Sequence, residues 1–216
     1  MFRLKAASET VREAVPPLLV EAFARLTFTG SVAFLVVLLS VLYWLVDRDR
    51  TATVIGYALV GLAVTLVLKE GFALPRPPET VQAVPTDADS HGFPSGHAIA
   101  STVVYGGLLA AWGRARDIRV VAPVATFVAL VGFSRVAIGV HYLGDVLAGF
   151  AVGVLVLSVL WLLVGRDPVR TCLVAVAVAV PAIVVTGAGS DSLLALGGGI
   201  GGAGAFRWID LRSLPS

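Results

Sequence analysis

In a chain of 216 residues that is 57% hydrophobic, the polar side chains able to do chemistry gather in three short islands. The first is KEGFALPRP, Lys69 to Pro77. Lys69 and Arg76 stand seven residues apart, two helical turns, so both can face one point, although Pro75 and Pro77 end any helix there. The second is HGFPSGHA, residues 91–98, which holds two of the three histidines, His91 and His97. Pro94 and Gly96 make a tight turn there, and His97 begins an apolar run. A turn feeding a helix N-terminus presents free backbone N–H groups and the positive end of the dipole, which suits an anion. Ser95 adds a hydroxyl that can serve the same anion or cap the helix. The third island is SRVAIGVHYLGD, Ser134 to Asp145. His141 and Asp145 are four apart, so on a helix the carboxylate can accept a hydrogen bond from one imidazole nitrogen. The other nitrogen is then a lone-pair nucleophile or base of fixed tautomer. Each island also has a plainer reading: cations snorkelling at a helix end, an ordinary N-cap beside a histidine, and a structural His–Asp pair bridging two helices.

The elements that must position these islands are apolar helices. Mean hydropathy is +0.92, and several stretches of about 17 to 24 residues carry almost no charge, the length needed to cross a hydrocarbon core. The expected fold is all-α: a polytopic transmembrane bundle of about six spans at 27–46, 52–68, 97–113, 120–138, 143–165 and 171–188. The Gly-rich stretch 192–208, whose small residues suit close helix packing, is a candidate for a short seventh span or a re-entrant hairpin. Short links (DRDRT, RARDIR, GRDPV) join the spans in antiparallel pairs, and 69–96 is the one sizeable polar loop. One domain is expected over 1–216, with an N-terminal segment 1–26 and a Gly-rich C-terminal segment 189–216. Within the N-terminal segment, Val11, Val15, Leu18, Leu19 and Phe23 predict a surface-lying amphipathic helix over 8–25, interrupted at Pro16 and Pro17; a frayed polar tail is the alternative. No cleavable signal-peptide pattern is expected there. Cys172, the single cysteine, reads as a small hydrophobe.

The three links hold Arg48, Arg50, Arg114, Arg116, Arg119, Arg166 and Arg170, against Lys69, Arg76, Arg135 and the basic residues of the N-terminal tail on the other side, and the link side is expected by a small margin to be cytoplasmic. All three islands then emerge on the other, extracytoplasmic face. A net charge of +2 with no basic cluster argues against nucleic acid as a partner. Three cations, a turn of backbone donors and two histidines on one face ask for a multiply charged anion, most simply a phosphate. Two histidines can divide a displacement there, one attacking and the other protonating the departing oxygen.

The pattern Lys69-x6-Arg76-Pro77, then Pro94-Ser95-Gly96-His97, then Ser134-Arg135-x5-His141-x3-Asp145 resembles the three-part signature of the type 2 phosphatidic acid phosphatase (PAP2) superfamily, without a departure. The resemblance implies a metal-independent phosphatase with no cofactor, acting on a lipid phosphate through a phosphohistidine. It implies His141 as nucleophile, Asp145 as its orienting partner, and His97 as acid for the leaving group and later base for water. Lys69, Arg76, Ser95, the Gly96 N–H and Arg135 would hold the phosphoryl oxygens, with Pro77, Pro94 and Ser134 in support. Glu70, Asp87 and Asp89 read as loop solvation rather than a metal cage. His91 lies outside the signature and reads as a loop residue, with gating as the alternative. Many membrane members carry an additional span ahead of the Lys–Arg island. Here the segment 8–25 stands in its place and is not expected to affect the chemistry.

The leading expectation is therefore hydrolysis of a polyprenyl diphosphate, phosphatidic acid or phosphatidylglycerol phosphate, in contact with membrane lipids through a lateral opening between helices. The alternatives are transfer of the phosphoryl group to a lipid or sugar acceptor, and a non-catalytic lipid-phosphate binding or transport protein. The spans disfavour the soluble haloperoxidase relatives.

Overall fold

A computed structural model describes residues 2–85 and 91–213, the last four by backbone alone. Asp87 and Asp89 lie outside the described residues. Those described form α1 (Lys5–Ala14), α2 (Pro17–Phe28), α3 (Val32–Leu45), α4 (Arg48–Phe72), α5 (Gly96–Ala111), α6 (Ile118–Ala137), α7 (Leu143–Leu163), α8 (Pro168–Thr186) and α9 (Ser190–Ser213). A single 3-10 turn, Glu79–Val81, interrupts the long loop, and no strand occurs among the described residues.

Charged links start three of the long helices. Asp47, Asp117 and Asp167 each sit at an N-cap and accept a backbone N–H, from Arg50 (3.0 Å), Arg119 (3.1 Å) and Arg170 (2.9 Å). Such a cap contributes typically ~1 kcal/mol. It also moves α4, α6 and α8 two to four residues upstream of the apolar runs that mark them in the sequence, because the arginines after each cap form the first helical turn.

Among the described residues, α4, α6, α7 and α8 are long and apolar enough to cross a membrane. Helix α5 is apolar but has 16 residues, a length of about 24 Å against a core of about 30 Å. The stretch expected as a first span, 27–46, is divided. Helices α2 and α3 meet at 51° and together meet the length and hydropathy of one broken span. The break falls at Thr29–Ser31, where the Thr29 hydroxyl turns back to the Leu26 carbonyl (2.7 Å) and Ser31 caps the new helix through the Phe34 N–H (3.3 Å).

The N-terminal segment breaks at Pro16, as its sequence suggests, but it does not lie apart on a surface. Phe23 of α2 packs edge-on against Phe133 of α6 (5.4 Å between centroids), and Ser8 of α1 accepts the Leu143 N–H at the head of α7 (2.8 Å). Helix α4 is the centre of the bundle and packs on α3, α5, α8 and α9. Tyr57, Val60, Ile99, Val103, Leu160 and Ala175 form the core between α4, α5, α7 and α8.

The Gly-rich stretch forms one continuous helix, α9, and not a hairpin. Ala63, Ala179, Ala182 and Ala195 make a small-residue seam with α4 and α8, and Cys172 is fully buried beside it. A Cβ on Gly199 would lie 2.9 Å from Val176 and 3.2 Å from the Cys172 carbonyl, whereas one on Gly201 would meet nothing. Gly199→Val is therefore expected to lower the thermal midpoint in detergent, at a cost of ~1–3 kcal/mol from overpacking. Gly201→Ala should leave the midpoint unchanged or raise it.

Candidate active site

Three chain segments meet at one end of α4. The last turn of α4 supplies Lys69, and the helix stops at Ala73 in the left-handed region. The chain then runs through Pro75, Arg76 and Pro77. The second segment is the turn into α5, whose N-cap is Ser95. The third is the end of α6, with Arg135, and the short connection through His141 into α7.

His141 is almost fully buried, and both ring nitrogens are engaged. Nδ1 lies 2.7 Å from the Gly92 carbonyl, which can only accept, so Nδ1 carries the proton. Nε2 therefore bears the lone pair, and Arg76 Nη1 donates to it at 3.1 Å. The same Arg76 nitrogen reaches the Val140 carbonyl (3.2 Å). Burial pushes the imidazole pKa down to about 3; the Asp145 carboxylate opposes this, and Arg135, Arg76 and Lys69 add to it. The ring is thus neutral, with Nε2 available, throughout the ordinary pH range.

This geometry corrects the expected His141–Asp145 hydrogen bond. Asp145 Oδ2 is 3.7 Å from Nδ1, beyond hydrogen-bond range, and the proton goes to Gly92 instead. The carboxylate is held from elsewhere: Arg3 donates to both oxygens (2.7 and 2.8 Å), and the Tyr142 N–H donates to Oδ2 (3.0 Å). The N-terminal segment, expected to stand clear of the chemistry, thus reaches the residue behind the histidine. Nothing in the sequence marks Arg3 for this, because its partner lies 142 residues away. Gly92 and Thr27 carry no sequence signal either; Thr27 Oγ1 accepts from Arg135 Nη1 (2.9 Å).

Of the residues singled out by sequence, Lys69, Arg76, Gly96, His97, Arg135 and His141 line one cavity of about 580 Å³. Ser95 and Asp145 are buried behind it, as are Pro77 and Pro94. Ser134 is buried with its hydroxyl spent on the Val131 carbonyl of its own helix (2.6 Å). The Ser95 hydroxyl does not cap α5, which leaves the first amides of that helix without a side-chain cap, and its buried Oγ has no partner among the described residues. Arg135 Nε is orphaned in the same way. Two unsatisfied buried donors, one of them on Arg135, lie beside a helix N-terminus with no side-chain cap and the further cations Lys69 and Arg76, an arrangement chemically suited to an oxyanion. Glu70 lies in the last turn of α4 and faces His91 Nδ1 at 3.3 Å, so both read differently from free loop residues.

The cavity has a second, apolar half. Val32, Leu35, Val36 and Leu39 of α3 face Ile55, Leu59 and Leu62 of α4; α9 contributes Leu194, and its Asp191 lies near enough to Lys69 to act on its charge. Several of the α3 residues also open outward: Val36 is 51% exposed. A polar end carrying charge and an apolar trough leading away from it match an amphiphile, with its head at the histidines and its tail along α3.

The family model for the PAP2 superfamily matches residues 50–168, and the chain belongs to that superfamily. Among solved structures it is similar to the transmembrane PAP2 type phosphatidylglycerolphosphate phosphatase from Bacillus subtilis. That likeness has 26% identity and a TM-score of 0.63, covering 71% of this chain and 80% of that one. It is also similar in fold to LpxE of Aquifex aeolicus, at 19% identity and a TM-score of 0.60, over 71% of this chain and 92% of that one. No curated protein matches the sequence.

The His141 environment has a consequence for acid stability. Burial pushes the folded ring down to about 3 from 6.5 in the free one, so its contribution is fully present above pH 6.5 and is lost as pH falls toward 3. The thermal midpoint of the wild type is expected to fall more steeply between pH 6.5 and 4 than that of His141→Asn. Parallel melting profiles for the two would contradict the buried neutral ring.

Proposed function

We propose that the chain hydrolyses a lipid phosphate or diphosphate through a phosphohistidine on His141, without a metal ion. The observation that carries this is the single cavity joining the cationic, two-histidine end to the apolar trough along α3. Lys69, Arg76, Arg135, the Gly96 N–H and the Ser95 hydroxyl hold the phosphoryl oxygens. As they bind, Arg76 Nη1 leaves His141 Nε2 for a phosphoryl oxygen and frees the lone pair for in-line attack on phosphorus. The P–O bond to the lipid breaks as the P–N bond forms, and His97 delivers its proton to the leaving oxygen. The ring, now positive, keeps its Nδ1 proton on Gly92 with the Asp145 carboxylate 3.7 Å away. His97, left as a base, takes a proton from water. The hydroxide so formed attacks phosphorus, breaks the P–N bond and releases inorganic phosphate. This division of labour suits phosphoryl transfer, where positioning and charge stabilisation do most of the work.

The chain works as one membrane-embedded unit. The Arg-rich links capped by Asp47, Asp117 and Asp167 lie at the opposite end of the bundle from the cavity, so the positive-inside rule favours a cell-membrane enzyme whose site opens to the extracytoplasmic side. Phosphatidylglycerol phosphate, phosphatidic acid and polyprenyl diphosphates are the candidate substrates, the first being what the Bacillus subtilis relative acts on.

Phosphate release from a panel of these lipids in EDTA tests the reading. Activity is expected to persist in EDTA, to vanish in His141→Ala, and to fall by ~10²–10⁴-fold in His97→Ala. Strict metal dependence, or turnover by His141→Ala, would remove the mechanism. The trough is tested separately by Ala58→Phe, at a residue lining its wall. KM should rise for a long-chain substrate and stay near wild type for a short-chain analogue of the same head group; equal effects on both would detach the tail from this groove.

A further inference from the structure

Asp145 is completely buried, and two of the three hydrogen bonds its carboxylate accepts come from Arg3, which is itself 7% exposed. The third Arg3 nitrogen, Nη1, donates to the Pro75 carbonyl at 2.8 Å, one residue before Arg76. The Arg3 carbonyl accepts the Gly144 N–H at 3.1 Å, and a Cβ on Gly144 would lie 2.5 Å from the Arg3 Cα. Its guanidinium also lies over the Tyr142 ring, 4.7 Å from the centroid. Phe2 packs edge-on against Phe93 at 5.5 Å, beside Gly92, whose own N–H is held by the Leu74 carbonyl at 2.7 Å. The segment around Arg3 therefore ties together the chain that carries Arg76, the peptide that accepts the His141 proton, and the start of α7.

We propose that Arg3 is a positioning residue of the active site: it fixes the Asp145 carboxylate behind His141, and through it the angle at which the ring keeps its Nδ1 proton on Gly92 and turns Nε2 to the cavity. The inference rests on the reading of His141 as nucleophile. With Arg3 in place, Oδ2 already accepts two donors and stands 3.7 Å from Nδ1. Without it, the carboxylate keeps only the Tyr142 N–H and is free to rotate onto the imidazole N–H, which leaves the proton on Nδ1 but draws the ring off the Gly92 carbonyl. A ring drawn toward Asp145 turns Nε2 away from the phosphorus. Arg3 touches neither the cavity nor the phosphate cradle, so its influence falls on the attacking ring and not on substrate binding. The segment standing where many relatives have a further span is on this view part of the catalytic apparatus.

The test compares wild type, Arg3→Ala, Arg3→Lys, Asp145→Asn and the Arg3→Gln/Asp145→Asn double variant, each purified in detergent with a melting curve to verify folding. Two readouts are taken: kcat and KM for a lipid phosphate, and imidazole ¹⁵N spectra, which three histidines keep simple. Arg3→Ala is expected to lower kcat ~10–100-fold, the usual size for losing an outer partner of a working imidazole, with KM within about 2-fold of wild type. Arg3→Lys should recover part of that loss. The double variant should be no slower than Asp145→Asn, because Arg3 acts through Asp145. In the spectra, His141 should stay protonated on Nδ1 in Arg3→Ala as in the wild type, because Gly92 and Asp145 both accept there, while its Nδ1 resonance moves as the acceptor changes. Wild-type kcat in Arg3→Ala, a loss that multiplies onto that of Asp145→Asn, or an unchanged His141 spectrum would each overturn the proposal. If Arg3→Ala does not fold, Arg3→Lys and the double variant carry the same comparison. If the wild type hydrolyses no lipid phosphate, the functional reading fails instead, and the ¹⁵N spectra still decide the role of Arg3.

Discussion

One carboxylate organises the polar end of this protein. Asp145 receives Arg3 and the Tyr142 N–H on its side chain, and its backbone carbonyl accepts the Ser95 N–H at 3.0 Å. Those bonds join the N-terminal segment, the head of α5 and the hairpin between α6 and α7, three pieces of chain that no hydrophobic pattern would bring together. An ion pair this deeply buried gives little net stability against an apolar substitute, but losing one partner costs about 3–5 kcal/mol, because the other charge is left behind. The pair therefore contributes specificity of arrangement more than strength. Few alternative packings of these segments would satisfy both charges.

In front of Asp145 the electrostatic sign reverses. Lys69, Arg76 and Arg135 share one cavity and repel one another, and the Ser95 hydroxyl and Arg135 Nε have no partner among the described residues. The cavity end thus carries positive charge and hydrogen-bond donors in excess of the nearby carboxylates of Asp191 and Glu70, a lining that suits an anion. The wall of carbon along α3 adds the other half of the demand, since the cradle is reached beside apolar surface. Family membership and this shape lead to the same class of molecule by separate routes, one through sequence pattern and one through the chemistry of the lining.

Much of this was legible in the sequence, and the legible part has a common physical cause. A charge in an apolar run is expensive, about 2.5–3.5 kcal/mol for Arg or Asp at a helix centre, so the few that are present stand out. Lys69, Arg76, Arg135, His97 and His141 were visible for that reason, and the structure brings all five to one cavity. Helices α4, α6, α7 and α8 were visible as long apolar runs. Their first turns were not, because Asp47, Asp117 and Asp167 let arginines begin a helix where charge suggests a loop. The bend at Thr29–Ser31 was missed because hydropathy runs smoothly through a break made by two hydroxyl hydrogen bonds. The partner of the His141 proton was misassigned for a similar reason. A spacing of four residues points to Asp145, while the actual acceptor is the backbone of Gly92, and a carbonyl has no letter in the sequence.

The span between Arg3 and Asp145 also orders events in time. Arg3 is synthesised 142 residues ahead of the carboxylate it binds, a delay of roughly 7–30 s at ordinary rates of translation. During that interval the Arg3 guanidinium lacks its carboxylate, although its other acceptor, the Pro75 carbonyl, is made about halfway through. The cavity lined by Lys69 and His97 is then already under construction, but the hairpin bearing His141 has yet to arrive. The contact between the N-terminal segment and the hairpin bearing His141 thus closes late, after Lys69, Arg76, His97 and Arg135 have been made.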